Sequence, residues 1–298
     1  MLSSGCAGPA AVVSPSGSTA PPAPASPVAS TAPPVATATP TPIPLPSTAQ
    51  LTAPSGNVVW VLVEVARLFL STDRGTTWTE KPLTPSLVGN QNISFADDHE
   101  GWIATLASPA TQCQIQEMGV IAHTTDGAAT WESFRPSGIA DALCKGALAF
   151  VDQTRGFLDA YSPNAAPIIY RTTDKGRTGK ASAPLPDPPG FKTQGGGFTL
   201  RPGPVHPFGS TLLLAASGLS NGAPFEYVFR STDGGASWAH LATAQSTDTP
   251  IVFVTATRWL RIGAPGESVE TTDGGRELAR LRHGLRAGGA GRPGGRVR

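Results

Sequence analysis

The sequence predicts an all-β fold, a β-propeller of four-stranded blades with about five recognisable blades, on three observations. A turn motif built on Ser/Thr-Thr-Asp recurs five times: "LSTDRGTTW" at 70–78, "HTTDGAATW" at 123–131, "RTTDKGRTG" at 171–179, "RSTDGGASW" at 230–238 and "ETTDGGREL" at 270–278. Its aspartates, Asp73, Asp126, Asp174, Asp233 and Asp273, stand roughly 40 to 60 residues apart, the length of one blade. All six tryptophans occupy two equivalent places. Trp78, Trp131 and Trp238 close the motif, while Trp60, Trp102 and Trp259 lie in an apolar strand upstream of it. Large aromatics at fixed places are what packing one blade on the next requires.

Taken in order, the chain begins with a segment that has no core to offer. Residues 1–63 contain no charged side chain, and residues 7–50 are almost entirely Pro, Ala, Ser, Thr and Val with a little Gly. Such a composition favours extended polyproline-like conformers, so residues 1–50 read as a disordered stalk. The opening "MLSSGCAG" resembles the cleavage and lipidation site of a bacterial lipoprotein at Cys6, with Ser3 in place of the usual leucine. That resemblance implies an extracytoplasmic protein, secreted or lipid-anchored to the bacterial cell surface, with membrane contact only through the anchor at Cys6.

Residues 51–280 carry the repeats. Upstream of the second, third and fifth motifs lie "ISFADDHEGWIATL", "LAFVDQTRGFLDAY" and "IVFVTATRWLRIG", each an apolar strand, a turn and another strand. The first repeat keeps "VVWVLV" of this pattern and the fourth offers "STLLLAAS". Three copies depart from the motif: Ala128 stands for its glycine, Gly179 for its tryptophan, and Glu277 with Leu278 for its final Thr-Trp pair. The third and fifth blades are therefore expected to be less well packed. The last stretch, residues 281–298 of "RELARLRHGLRAGGAGRPGGRVR", is Arg/Gly-rich and reads as a disordered tail. An RNA-binding tail is one reading of this composition. The stretch breaks the pattern in mid-repeat, however, as a shifted reading frame in a GC-rich gene would, and that second reading is preferred. The expectation that follows is a propeller truncated at its C-terminus, with an incomplete fifth blade.

These motifs resemble the Asp-box, or bacterial-neuraminidase-repeat, β-propellers, whose pattern is Ser/Thr-x-Asp-x-Gly-x-Thr-Trp. The combination with "F-x-D-x-x-x-G-W" looks most like the photosystem II assembly and stability factor branch. The resemblance implies that each aspartate staples the hairpin between the third and fourth strands of its blade. An Asp side chain can accept backbone N–H groups a few residues on, glycine supplies positive φ, and the flanking hydroxyls complete the turn. One carboxylate per turn is too few oxygens for calcium, and neither a metal nor another cofactor is expected.

Sialidases carry the same motif, which makes a sialidase-type exo-glycosidase the alternative. It would use an arginine triad, a Tyr–Glu pair and an Asp. The chain lacks the Arg-Ile-Pro tripeptide, and Tyr227 and Glu226, adjacent in a strand, point to opposite faces. Tyr161, Tyr170 and Tyr227 read as packing residues. With Cys6 assigned to lipidation, Cys113 and Cys144 remain as one candidate disulfide, free buried thiols being the other reading. A net charge of +1 gives no bias toward nucleic acid or membrane. The expected function is a non-catalytic binding or assembly module that takes a protein or glycan ligand at the channel face.

Overall fold

The computed structural model describes residues 46, 48–83, 91–105, 119–141, 143–162, 165–191, 200–246, 249–263, 268–277 and 279–280. Residues 1–45 and 47 of the stalk, Cys6, Cys113, Leu278 and the tail lie outside them, while the last two stalk residues, Ala49 and Gln50, belong to the first strand.

Five antiparallel sheets follow one another along the chain and are arranged as a five-bladed β-propeller. The first comprises β1 (Ala49–Thr52), β2 (Val59–Val63), β3 (Arg67–Ser71) and β4 (Thr79–Lys81). The second comprises β5 (Gln91–Phe95), β6 (Gly101–Thr105), β7 (Ile121–Thr124) and β8 (Glu132–Phe134). The third comprises β9 (Cys144–Phe150), β10 (Gly156–Ser162), β11 (Ala165–Thr172) and β12 (Lys180–Ala181). The fourth has five strands: β13 (Arg201–Pro202) and β14 (His206–Phe208) both pair with β15 (Thr211–Ser220), followed by β16 (Ala223–Ser231) and β17 (Ala239–Gln245). The fifth comprises β18 (Val252–Phe253), β19 (Trp259–Arg261), β20 (Val269–Thr271) and β21 (Ala279–Arg280).

Alternation along each strand explains how the sheets stack. In β2, Trp60 and Leu62 are fully buried while Val59, Val61 and Val63 are half-buried on the other face. Trp60, Leu62, Leu68 and Leu70 close on Ile93 and Phe95 of the second sheet. The next junction repeats the arrangement one blade on, with Trp102 and Ile121 against Leu148 and Phe150. Phe157 and Ile169 of the third sheet meet Leu212, Leu214, Tyr227 and Phe229 of the fourth. Leu213 and Val228 then meet Trp259 of the fifth. Among the described residues no such cluster joins the fifth sheet to the first, and Leu51, Val252 and Ile262 are exposed.

The tryptophans use the indole in different ways. The Trp60 ring stacks on Phe95 at 3.8 Å and Trp102 on Phe150 at 3.6 Å, each across a blade junction. Trp60 Nε1 donates to the Asp97 carbonyl and Trp102 Nε1 to the Lys175 carbonyl, so each ring also ties down a turn of the neighbouring blade. Trp259 and Trp238 are buried, and Trp131 is partly buried against the first junction. Trp78 corrects the packing expectation: it is 44% exposed and lies over Gly75 of its own turn.

Two further expectations are corrected. The third blade is not loosened by Gly179. A Cβ there would lie 2.5 Å from Ile139 Cγ1, because the chain between the second and third sheets fills the space a tryptophan would take. That chain is pinned by Gly179 N–H donating to the Ser137 carbonyl at 2.8 Å. The fifth sheet is not short of a strand either, since Ala279–Arg280 pairs with Val269 and Glu270. Its strands are two or three residues long, however, and Trp259 is its one fully packed apolar side chain in the junction with the fourth.

Candidate functional site

Four of the five aspartate turns share one hydrogen-bond pattern, set by residues no more than four apart. In the first, Ser71 Oγ donates to Asp73 Oδ1 (2.8 Å) and accepts from Gly75 N–H (2.8 Å). Asp73 then accepts Thr77 N–H on Oδ1 (2.8 Å) and the Thr77 hydroxyl on Oδ2 (2.6 Å). Asp126 holds Thr130, Asp174 holds Thr178 and Asp233 holds Ser237 in the same way. Asp273 differs, because position 277 is a glutamate without a hydroxyl: it accepts only the N–H groups of Arg276 and Glu277, together with the Thr271 hydroxyl. Gly75, Gly176, Gly235 and Gly275 hold positive φ in these turns, and Ala128 takes the same conformation at φ 68°.

These bonds favour the ionised carboxylate. The Thr77 hydroxyl and N–H, with the Ser71 hydroxyl, hold Asp73 at about 2, and Thr130 with Thr124 hold Asp126 at about 2. Asp233 is lowered by the Ser237 hydroxyl and N–H, and Asp273 by the Thr271 hydroxyl and the Glu277 N–H. Burial alone would raise Asp174, but bonds from Thr172 and Thr178 lower it. A carboxylate depressed in the folded state contributes stability that is present above its unfolded value near 4 and lost as pH falls through its folded value. Acid unfolding is therefore expected between about pH 4 and pH 2, read by tryptophan fluorescence. Native fluorescence retained at pH 2 would mean that these bonds do not hold the turns.

A second staple was missed by sequence reasoning, although "F-x-D-x-x-x-G-W" contained it. Asp97 Oδ1 accepts His99 N–H (2.7 Å) and Glu100 N–H (2.6 Å) in the turn from β5 to β6. Asp152 Oδ1 does the same for Thr154 and Arg155, and in the fifth blade Thr255 Oγ1 accepts Thr257 and Arg258. Asp97, Asp98 and His99 bring three ligand atoms within 4.8 Å of one another, but the geometry is that of this Asx-turn.

The first strands of the first three sheets, with residues 204–207 of the fourth, line a central cavity of about 690 Å³. Its wall runs from Gln50 to Pro54, Asn92 to Ala96, Ala147 to Val151 and Pro204 to Pro207. The described lining contains no lysine, arginine or carboxylate. Its one titratable group is His206, which burial lowers toward the neutral form. Polar side chains lock neighbouring walls together: Gln50 Oε1 accepts Ile93 N–H, Asn92 Nδ2 donates to the Gly146 carbonyl, and Ser94 Oγ accepts Phe150 N–H.

Charged groups are instead buried between blades. Glu100 Oε1 accepts from Lys175 Nζ and contacts His123 Nε2, both at 2.8 Å, joining the second and third blades. Glu226 pairs with Arg261 across the fourth and fifth. Glu226 is thus engaged away from Tyr227, whose ring is buried against Phe191 in the third junction. Tyr170 is buried and accepts Ala140 N–H, and Tyr161 is half-buried at the end of β10. Cys144 is disulfide-bonded, and the other two cysteines, Cys6 and Cys113, lie outside the described residues.

No protein-family model matches the chain, and no curated protein matches it. Among solved structures it is similar to YCF48 from Cyanidioschyzon merolae, at 15% identity and a TM-score of 0.44, over 80% of this chain and 86% of that one. YCF48 bound to a D1 peptide is similar at 17% identity and a TM-score of 0.41, over 80% and 84%. A Trypanosoma rangeli sialidase in complex with the inhibitor DANA is similar at 13% identity and a TM-score of 0.43, over 68% of this chain and 39% of that one. These are likenesses of architecture, and an architecture shared at such identity does not transfer an activity.

Proposed function

We propose that the protein is a non-catalytic Asp-box-type propeller of the extracytoplasmic space, secreted or lipid-anchored through Cys6, that holds a protein or glycan partner at its central cavity. The observation that carries this reading is the uncharged described wall of the cavity. Such a wall suits groups that are themselves uncharged, such as sugar hydroxyls or the backbone of an extended peptide. A sialidase-type centre needs arginines for the substrate carboxylate and acidic groups for the chemistry. The buried Glu100 and Glu226 are consumed as blade-to-blade ties, to Lys175 with His123 and to Arg261. The disulfide at Cys144 supports an oxidising compartment, and the sequence resemblance to photosystem II assembly factor-like propellers agrees with an assembly role.

The test is a binding screen of the purified protein against immobilised peptides and glycans, with a fluorogenic sialoside assayed in parallel. Ala53→Arg and Thr52→Glu, which place charge on the wall, should weaken the captured partner at least about tenfold. Asp233→Ala should lower stability by about 1 to 3 kcal/mol through its emptied turn while leaving binding intact. Sialoside turnover, or binding indifferent to the wall substitutions, would overturn the proposal.

A further inference from the structure

Behind the cavity wall, three departures from the repeat coincide in the third blade. Counting three residues from the strand position that pairs with each turn's first hydroxyl gives Leu62 in the first blade, Ala104 in the second and Asp159 in the third. Leu62 and Ala104 are fully buried apolar side chains, so the repeat calls for one here, yet Asp159 is 2% exposed. The pairing of β9 with β10 also slips at this place: Leu148 faces Leu158 and Lys145 faces Ala160, leaving Gly146 and Ala147 together opposite Asp159. The second blade, with Asn92 facing Ala104, has no such bulge. Finally, position 146 is glycine, and a Cβ there would lie 2.3 Å from Asp159 Oδ2. An acid, a bulge and a glycine at one spot are not needed for packing, since two blades pack without them. Bulges of this kind re-aim side chains next to functional surfaces.

The bulge belongs to the cavity wall. Ala147 lines the cavity, and Asn92, which also lines it, donates to the Gly146 carbonyl at 2.8 Å. We propose that Asp159 and the Gly146–Ala147 bulge form a proton-operated gate in the wall of the central cavity. With the carboxyl neutral, the bulge stays closed over it. With the carboxyl ionised, the charge cannot remain dry, and Gly146–Ala147 moves to admit water and changes the shape of the wall.

The surroundings favour the neutral form. Neither carboxylate oxygen has a hydrogen-bond partner of good geometry. Burial pushes Asp159 well above the usual carboxylate range, and the nearby N–H groups of Ala147 and Asp159 itself offset this only in part. The titratable groups around it are Tyr161 on β10, Arg171 on β11, Arg201 on β13 and Tyr227 on β16; on β9, Cys144 is in a disulfide and Lys145 faces the opposite side with Ala160. Tyr161 is itself raised by burial and then by Asp159, with Arg201 opposing. Because the folded chain keeps a proton that the unfolded chain releases above about pH 4, stability falls as pH rises from there toward the folded titration point, and levels off beyond it.

The experiment compares the full chain with Asp159→Asn and Asp159→Ala from pH 4 to pH 9. The wild-type unfolding constant, divided by that of Asp159→Asn, should rise by up to about tenfold per pH unit above pH 4 before reaching a plateau, since every other titrating group is common to both. Amide exchange at Ala147 should accelerate with pH beyond the intrinsic base-catalysed slope in the wild type and follow that slope in both variants. A ratio that stays constant with pH, or Ala147 exchange that is parallel in wild type and variants, overturns the gate. Neither readout uses a cavity ligand, so the outcome is independent of the binding proposal.

Discussion

Glu226→Ala is expected to cost about 3 to 5 kcal/mol. The carboxylate and the Arg261 guanidinium are both buried, with side chains 9% and 7% exposed. Glu226 additionally accepts Ile251 N–H, and Arg261 donates to the Gln245 carbonyl at 2.7 Å. Removing Glu226 leaves a guanidinium in a dry junction with one carbonyl for company, and its Nε has no partner even in the intact pair. The cost falls on one joint, where Leu213, Val228 and Trp259 are the buried apolar side chains and Phe208, Leu241, Ala242, Ile251 and Phe253 pack on them only partly buried. Denaturant unfolding of the variant should therefore show the fifth blade opening before the rest, as an early transition or as early amide exchange in β19 and β20. Replacing both partners, Glu226→Leu with Arg261→Met, should recover most of the loss, since apolar pairs of similar volume are commonly as stable as a buried ion pair. A single-variant cost under about 1 kcal/mol would mean that the pair is solvated in solution.

Trp102→Ala should cost a further class of energy, about 3 to 5 kcal/mol, by cavity formation rather than stranded charge. The indole is fully buried, lies parallel to Phe150 at 3.6 Å and to His123 at 4.9 Å, and donates to the Lys175 carbonyl at 3.0 Å. Its loss would empty the junction of the second and third blades and release the third aspartate turn, while baring one side of the Glu100–His123–Lys175 cluster. Trp78→Ala is the control. That ring sits at the other tryptophan place in the repeat but is 44% exposed, so its removal should cost less than about 1 kcal/mol. Chemical unfolding of the two variants side by side decides the matter, and equal costs would contradict the packing described for Trp102.

The contrast between these two tryptophans marks where the sequence stops. By itself it determined the aspartate turns, which depend only on neighbours along the chain, although the equally local staples at Asp97 and Asp152 were missed. The aspartate turns close through hydroxyls and N–H groups no more than four residues away, so five copies of the motif were enough to place five hairpins and to explain why Asp233 is a staple. The period of those copies and the apolar strands before them determined sheets of propeller size. Glu277 in place of a hydroxyl likewise announced the weaker fifth turn, although not that Ala279–Arg280 would still pair.

Only the tertiary structure decided what meets across the blades. Glu226 and Arg261 are 35 residues apart, Glu100 and Lys175 75 apart, and nothing in either local sequence names its partner. Gly179 looked like a missing tryptophan because the repeat is read along one blade, whereas Ile139 fills the gap from the chain that leads into it. Nothing along the chain singles out Asp159; a one-residue slip in β9 places Gly146 against it. The physical reason is common to all three. Hydrogen bonds within a turn are fixed by chain connectivity, but contacts between sheets depend on strand register and twist, and a shift of a single residue in either changes which side chains face the same junction.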